Sequence, residues 1–139
     1  MPVPLRMSIV EPVASVKDLI ERWWKPLQDI KEKLLENNDL LSLPGRDHPF
    51  IKKSGYRKYA TAFGLSDEII WQECERNPEK PDEFTWRIRV RVVAPNGRFA
   101  EAVGAASTKE RKFAHPEHDI FAMAHTRAKS RGISDLVGG

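Results

Sequence analysis

A single cysteine, Cys74, stands in the 139 residues. One thiol excludes an internal disulfide and every zinc motif built on several cysteines, and a reducing cytoplasm is the expected compartment. Long apolar runs are missing as well. Leu40-Leu41 and Val92-Val93-Ala94 are typical of what there is, far below the roughly 20 residues that cross a bilayer, so no membrane span is expected. The first residues carry Pro2, Pro4, Arg6 and Pro12 but neither the apolar stretch nor the small-residue cleavage site of a secretory signal. Residues 1–14 are expected to form a flexible N-terminus. Also absent are the P-loop, the Gly-x-Gly-x-x-Gly turn and the serine elbow, so nucleotide hydrolysis and redox chemistry lack their machinery. His115, His118, Asp119 and His125 invite a metal reading, but Pro116 interrupts the start of the helix that would hold them. No enzyme activity, metal or cofactor is expected.

What is present suffices for a soluble core: 40% hydrophobic and 9% aromatic residues against 31% charged, with a mean hydropathy of -0.52. The length fits one domain, expected over residues 15–139. A net charge of +3 conceals an uneven distribution. Residues 1–44 hold six Lys/Arg against seven Asp/Glu, residues 45–83 seven against eight, and residues 84–139 ten against five. The last segment carries the whole positive excess. Such clustering is either an electrostatic footprint for a polyanion or an ordinary solvated surface.

Ser15 followed by Asp18 reads as a helix start, since a serine oxygen caps orphan amides and an acid suits the first turn. Val16, Leu19, Ile20, Trp23, Leu27, Ile30 and Leu34 recur at helical spacing, which predicts an amphipathic helix to about Asn37. Pro26 predicts a kink or break near Trp24-Lys25. The segment 15–43 is a candidate assembly element, because adjacent Trp23 and Trp24 cannot share one narrow apolar stripe. A second helix is expected from Lys53 or Ser54 to Phe63, ended by Gly64, and a strand from Glu68 to Glu75. Phe84, Trp86, Ile88, Val90 and Val92 alternate with Thr85, Arg87, Arg89, Arg91 and Val93, the period of a strand with one apolar face. Pro95-Asn96-Gly97 supplies a turn, and the small residues of Phe99 to Ala106 suit close packing. A long helix follows from Pro116 to Leu136.

Three constellations bear on function. Arg87, Arg89 and Arg91 project to one side of a strand, about 6.5–7 Å apart, close to phosphate spacing along one extended nucleic-acid strand. The alternative is cross-strand pairing with acids such as Glu73, Glu75 or Glu101. Arg127 and Arg131 share a face of the last helix, with Lys129 and His125 as a neighbouring pair. Were this helix to cross the sheet, its basic edge and the arginine face would line a common positive groove; a plain solvated face is the other reading. Finally, Lys52, Lys53, Arg57 and Lys58 surround Tyr56 and Tyr59, the mix of cations and aromatics that single-strand binders use, although tyrosines at helical spacing also serve as core.

The residues from Arg87 to Gly138 resemble single-strand annealing proteins, the superfamily of the eukaryotic Rad-type recombination mediator and the phage Sak and Erf proteins, and look like an archaeal-type member. The resemblance rests on the Val- and Arg-rich strand, the Pro95-Asn96-Gly97 turn, the return strand Glu101-Ala102-Val103-Gly104 and the helix Ala124 to Leu136. It extends upstream to Gly55-Tyr56-Arg57 and Phe63-Gly64. It implies a hairpin-rich sheet packed on a helix with single-stranded DNA in the groove between, Arg57 and Arg131 at DNA-contacting positions, and Ser130 where the family has a lysine.

The expectation is therefore an α+β fold, with an antiparallel sheet of about three to four strands around a central hairpin, packed against a long C-terminal helix. It would bind single-stranded DNA, with RNA as an alternative, through Lys53, Tyr56, Arg57, Lys58, Arg87, Arg89, Arg91, Arg127, Lys129 and Arg131. Annealing in recombination or repair would require a homo-oligomer. A protein-interaction module answering an acidic partner is the reading from a different class, and a nuclease is the third.

Overall fold

The computed structural model describes residues 10–45 and 49–138. The chain divides into two compact units, 1–34 and 35–139, where one domain from residue 15 onward was expected. The division falls where the first helix ends, earlier than residue 43. Most of the expected flexible N-terminus, residues 1–9, lies outside the described residues.

Among the described residues, the first unit contains one helix, α1 (residues 16–34). Ser15 caps it as its sequence predicts, accepting the Asp18 N–H at 3.1 Å. The winding alternates: Val16–Leu19 and Lys25–Asp29 are α-helical, Ile20–Trp24 and Ile30–Leu34 are π-helical. Trp24 and Lys25 keep right-handed helical dihedrals, so the helix does not break at Pro26. The proline's missing donor falls where the winding changes, and a π turn absorbs such an interruption locally. Trp23 and Trp24 are both exposed, with their rings in edge contact at 5.7 Å.

The second unit is mixed α+β and entirely antiparallel in its pairing. A single 3₁₀ turn, Asn37–Asp39, leads into β1 (Leu40–Leu41), which pairs with β2 (Phe50–Ile51). Helix α2 (Lys53–Phe63) follows, then a three-stranded meander in the order β3 (Ser66–Arg76), β4 (Phe84–Val93) and β5 (Phe99–Ser107), and finally α3 (Pro116–Val137). None of the described helices is long and apolar enough to cross a membrane.

The alternation read in the sequence sorts β4 as expected. Phe84, Ile88, Val90 and Val92 are buried beneath α3 together with Ile120, Ala124, Ala128, Ile133 and Val137. Each of the larger of these side chains, the phenylalanine, isoleucines and valines, contributes roughly 1.5–3 kcal/mol when fully buried. The close approach comes from glycine: a Cβ on Gly104 would overlap the Ala124 carbonyl and the Ala128 amide of α3. Across from it, Gly132 of α3 sits against the Val92 side chain. The hairpin closes through Ala94 N–H to Arg98 O at 2.8 Å and Gly97 N–H to Ala94 O at 2.9 Å, with Gly97 at φ +87°. That is a three-residue loop with a left-handed glycine.

α3 covers β4 and β5 but leaves β3 uncovered, and every β3 residue except half-buried Cys74 is exposed. β3 also carries a bulge. Ile69 stands opposite Val90 and Trp71 opposite Arg89, so Ile70 has no partner.

Candidate nucleic-acid interface

Arg87, Arg89 and Arg91 do share one face of β4, but it is the face turned away from α3. The expected groove between the arginine row and the long helix therefore does not form: the sheet itself lies between them. The arginines are answered across the strands. Arg87 donates to Glu75 at 2.8 Å, and Arg91 reaches Glu101 through Nε at 3.0 Å and Nη2 at 2.8 Å, with Glu68 at 3.8 Å. Arg89 stands 3.9 Å from Glu101. Its hydrogen bond to Glu75 raises the pKa of Arg87 above the ordinary guanidinium value. With Glu73 opposite Arg87, this face carries three arginines and four glutamates, Glu68, Glu73, Glu75 and Glu101. It is a lattice of cross-strand ion pairs with one carboxylate in excess, which matches the cross-strand alternative.

The cations of α3 separate onto two flanks. Arg127 and Arg131 turn to the edge of β5 and donate to main-chain carbonyls: Arg127 to Ala105 O and Arg131 to Val103 O, both at 2.7 Å. Glu110 completes the edge. Its Oε2 accepts the Ser107 N–H at 2.8 Å, and its two oxygens take Arg127 at 2.7 and 2.9 Å. Arg127 holds the Glu110 carboxyl below its ordinary value, opposed in part by burial. Two residues expected to meet phosphate thus cap a strand edge.

Lys129 and His125 lie on the other flank, toward Asp67 at the start of β3. Asp67 is 3.6 Å from Lys129 Nζ and 3.9 Å from His125 Nε2. Burial, with Lys129 assisting, lowers the His125 pKa and favours the neutral ring.

On α2 the interleaved cations and tyrosines also divide. Lys58 is bound 2.7 Å from Asp39, a carboxylate only 3% exposed that also accepts the Glu36 N–H at 2.8 Å. These two bonds, the backbone one first, pull the Asp39 pKa down to about 2. Lys58 therefore locks the turn before β1 to α2. Tyr59 is fully buried, and burial pushes its hydroxyl up to about 12; it is core. Lys53 and Arg57 are exposed and make no ion pair among the described residues. Lys53, half-buried Tyr56 and Arg57 line a cleft of about 100 Å³ whose far wall is Thr126, Lys129, Ser130 and Ile133, with Asp67 between.

Of the ten expected contact residues, Lys53, Tyr56, Arg57 and Lys129 come together. The cleft carries three cations and one carboxylate. One participant escaped the sequence reading: Asp67, whose only signal was its adjacency to Glu68. No protein-family model matches the chain, and no curated protein matches it in sequence. The resemblance to annealing proteins thus stands on the residues quoted for it alone.

Proposed function

We propose that this protein binds single-stranded nucleic acid, DNA in the first instance, along the cleft between α2 and α3. One observation carries the reading: Lys53 and Arg57, one helical turn apart, are exposed cations without carboxylate partners among the described residues, and they face Lys129 across a cleft edged by Tyr56. Cations so disposed suit consecutive phosphates of one strand, and a tyrosine edge offers a surface for an unpaired base. Asp67 holds Lys129 until a phosphate replaces it. The family resemblance extends the proposal to strand annealing, with the exposed Trp23 and Trp24 of α1 as contacts for assembly. A cytoplasmic setting goes with it.

Fluorescence anisotropy of a labelled oligonucleotide tests the proposal. Three phosphate contacts give a slope of log K against log salt of about −2, at about −0.7 per contact on single strands. Arg57→Ala is expected to flatten that slope by about 0.7, and the triple change of Lys53, Arg57 and Lys129 to Ala to abolish binding. No binding at low salt, or binding untouched by the triple change, refutes it. A preference for an acidic peptide over the oligonucleotide would point to the interaction-module alternative instead.

A further inference from the structure

The outer face of the sheet, a lattice of cross-strand ion pairs, has one place where the pairing is weakest. Ile70, Trp71 and Arg89 line a concavity of about 350 Å³ with no carboxylate in its wall among the described residues, a size at the low end of small-molecule sites, roughly 300–1,000 Å³. Trp71 is 44% exposed, and the Arg89 side chain is 51% exposed. Arg89 is also the least engaged arginine of the row. Its nearest carboxylate, Glu101, is 3.9 Å away and is already held by Arg91 at 2.8 Å.

The bulge creates this arrangement. Before it, Asp67 and Ile69 stand opposite Val92 and Val90, on the α3 side; after it, Trp71 and Glu73 stand opposite Arg89 and Arg87. Were Ile70 instead to pair with Arg89 in unbroken register, Trp71 would stand opposite Ile88 with its indole on the helix side, because a one-residue slip exchanges the two faces of a strand. Bulges recur where a strand must re-aim a side chain.

We infer that Trp71 and Arg89 form a binding site for a nucleotide, the indole stacking on the base and the guanidinium taking the phosphate. An aromatic plane beside an under-paired guanidinium, with no acid among the described residues of the wall, selects a ligand that is both planar and anionic. A cationic or purely aliphatic ligand meets Arg89 or leaves the indole face unused. The site lies on the opposite face of the sheet from the α2–α3 cleft and does not rest on the function assigned there.

The probe is adenosine 5′-monophosphate, with ribose 5-phosphate as the phosphate-only control, titrated at millimolar concentration into the full chain and followed in ¹H–¹⁵N spectra. The nucleotide is expected to shift one of the four indole signals, the one that Trp71→Phe removes, and the amides around Arg89. Ribose 5-phosphate is expected to leave the indole unmoved. Trp71→Ala should weaken binding about tenfold or more, as loss of a stacked base does, while Trp71→Phe retains most of it and Arg89→Gln weakens the nucleotide but not adenosine. Both positions are exposed, and an unchanged amide pattern elsewhere checks folding. The changes at Lys53, Arg57 and Lys129 should leave these shifts intact, so failure of the cleft and failure of this site are separable. No shift with the nucleotide, shifts confined to the cleft, equal shifts with ribose 5-phosphate, or binding that survives Trp71→Ala and Arg89→Gln would each overturn the inference.

Discussion

The two edges of the three-stranded sheet are handled by opposite means. Along β5, side chains occupy the main chain: Arg131 takes Val103 O, Arg127 takes Ala105 O and Glu110 takes the Ser107 N–H. Along β3, no described side chain bonds to the main chain, yet the strand runs for eleven residues at the surface with Ile69, Ile70 and Trp71 exposed. An open edge of that kind invites another strand unless charge or a bulge discourages it. β3 has both, in Asp67, Glu68, Glu73 and Glu75 and in the bulge at Ile70. Two arginines and a glutamate close one edge by bonding to it, while acidic groups and a bulge guard the other. The difference shows why counting cations misjudged the site: two arginines that look available for phosphate are committed to backbone carbonyls.

Lifting α3 off the sheet is the largest way to break this contrast. Gly104→Val drives a side chain into the backbone of α3, and overpacking of this kind costs about 3 kcal/mol. Urea denaturation should register that loss, and slowed hydrogen exchange at the β5 edge should vanish with it, because Arg127 and Arg131 ride on the helix.

Opening the edge without disturbing the core is the next test. The double change Arg127→Ala with Arg131→Ala leaves two carbonyls without their donors and Glu110 with only the Ser107 N–H. The expected loss is about 2 kcal/mol once the exposure of these bonds is discounted. Light scattering should also reveal concentration-dependent association through the uncovered strand, whereas substitutions confined to the acids' arginine partners on β4 should not produce it by this route.

Acid should loosen β5 in a smaller, graded way. Because Arg127 depresses the folded pKa of Glu110, the bond's contribution is fully present above the unfolded glutamate value, about 4.3. It is lost as pH falls through the lower folded value. The melting temperature of the wild type should therefore drop more steeply below about pH 4 than that of Arg127→Ala, which lacks this linkage. Equal slopes would separate Glu110 from the edge.

The smallest stability effect belongs to β3. Trp71→Ala removes an exposed ring from an uncovered strand and should change unfolding free energy by no more than about 0.5 kcal/mol, even as it weakens nucleotide binding about tenfold. A loss of several kcal/mol would show that the indole packs rather than presents itself.

Much of the fold was legible because it follows from local periods. The alternation from Phe84 to Val93 predicted β4 and its buried face, Pro95-Asn96-Gly97 the hairpin, Gly64 the end of α2 and Pro116 the start of α3. Ser15 capped α1 as expected. The divided role of the cations was not legible, because it depends on where α3 lands. Arg127 and Lys129 are two residues apart, nearly opposite on the helix, so seating α3 on Gly104 sends one to the β5 edge and the other to Asp67. Lys58 was equally opaque, since its partner Asp39 lies 19 residues upstream.

By itself, then, the sequence determined the order of elements, the apolar face of β4 and the small-residue seat for the last helix, because propensity and periodicity act over a few neighbouring residues. Tertiary structure alone decided which cations are spent on carbonyls and carboxylates and which stay exposed. It also turned Trp71 outward through one extra residue in β3. Those outcomes depend on contacts between elements and on register, which no local pattern encodes.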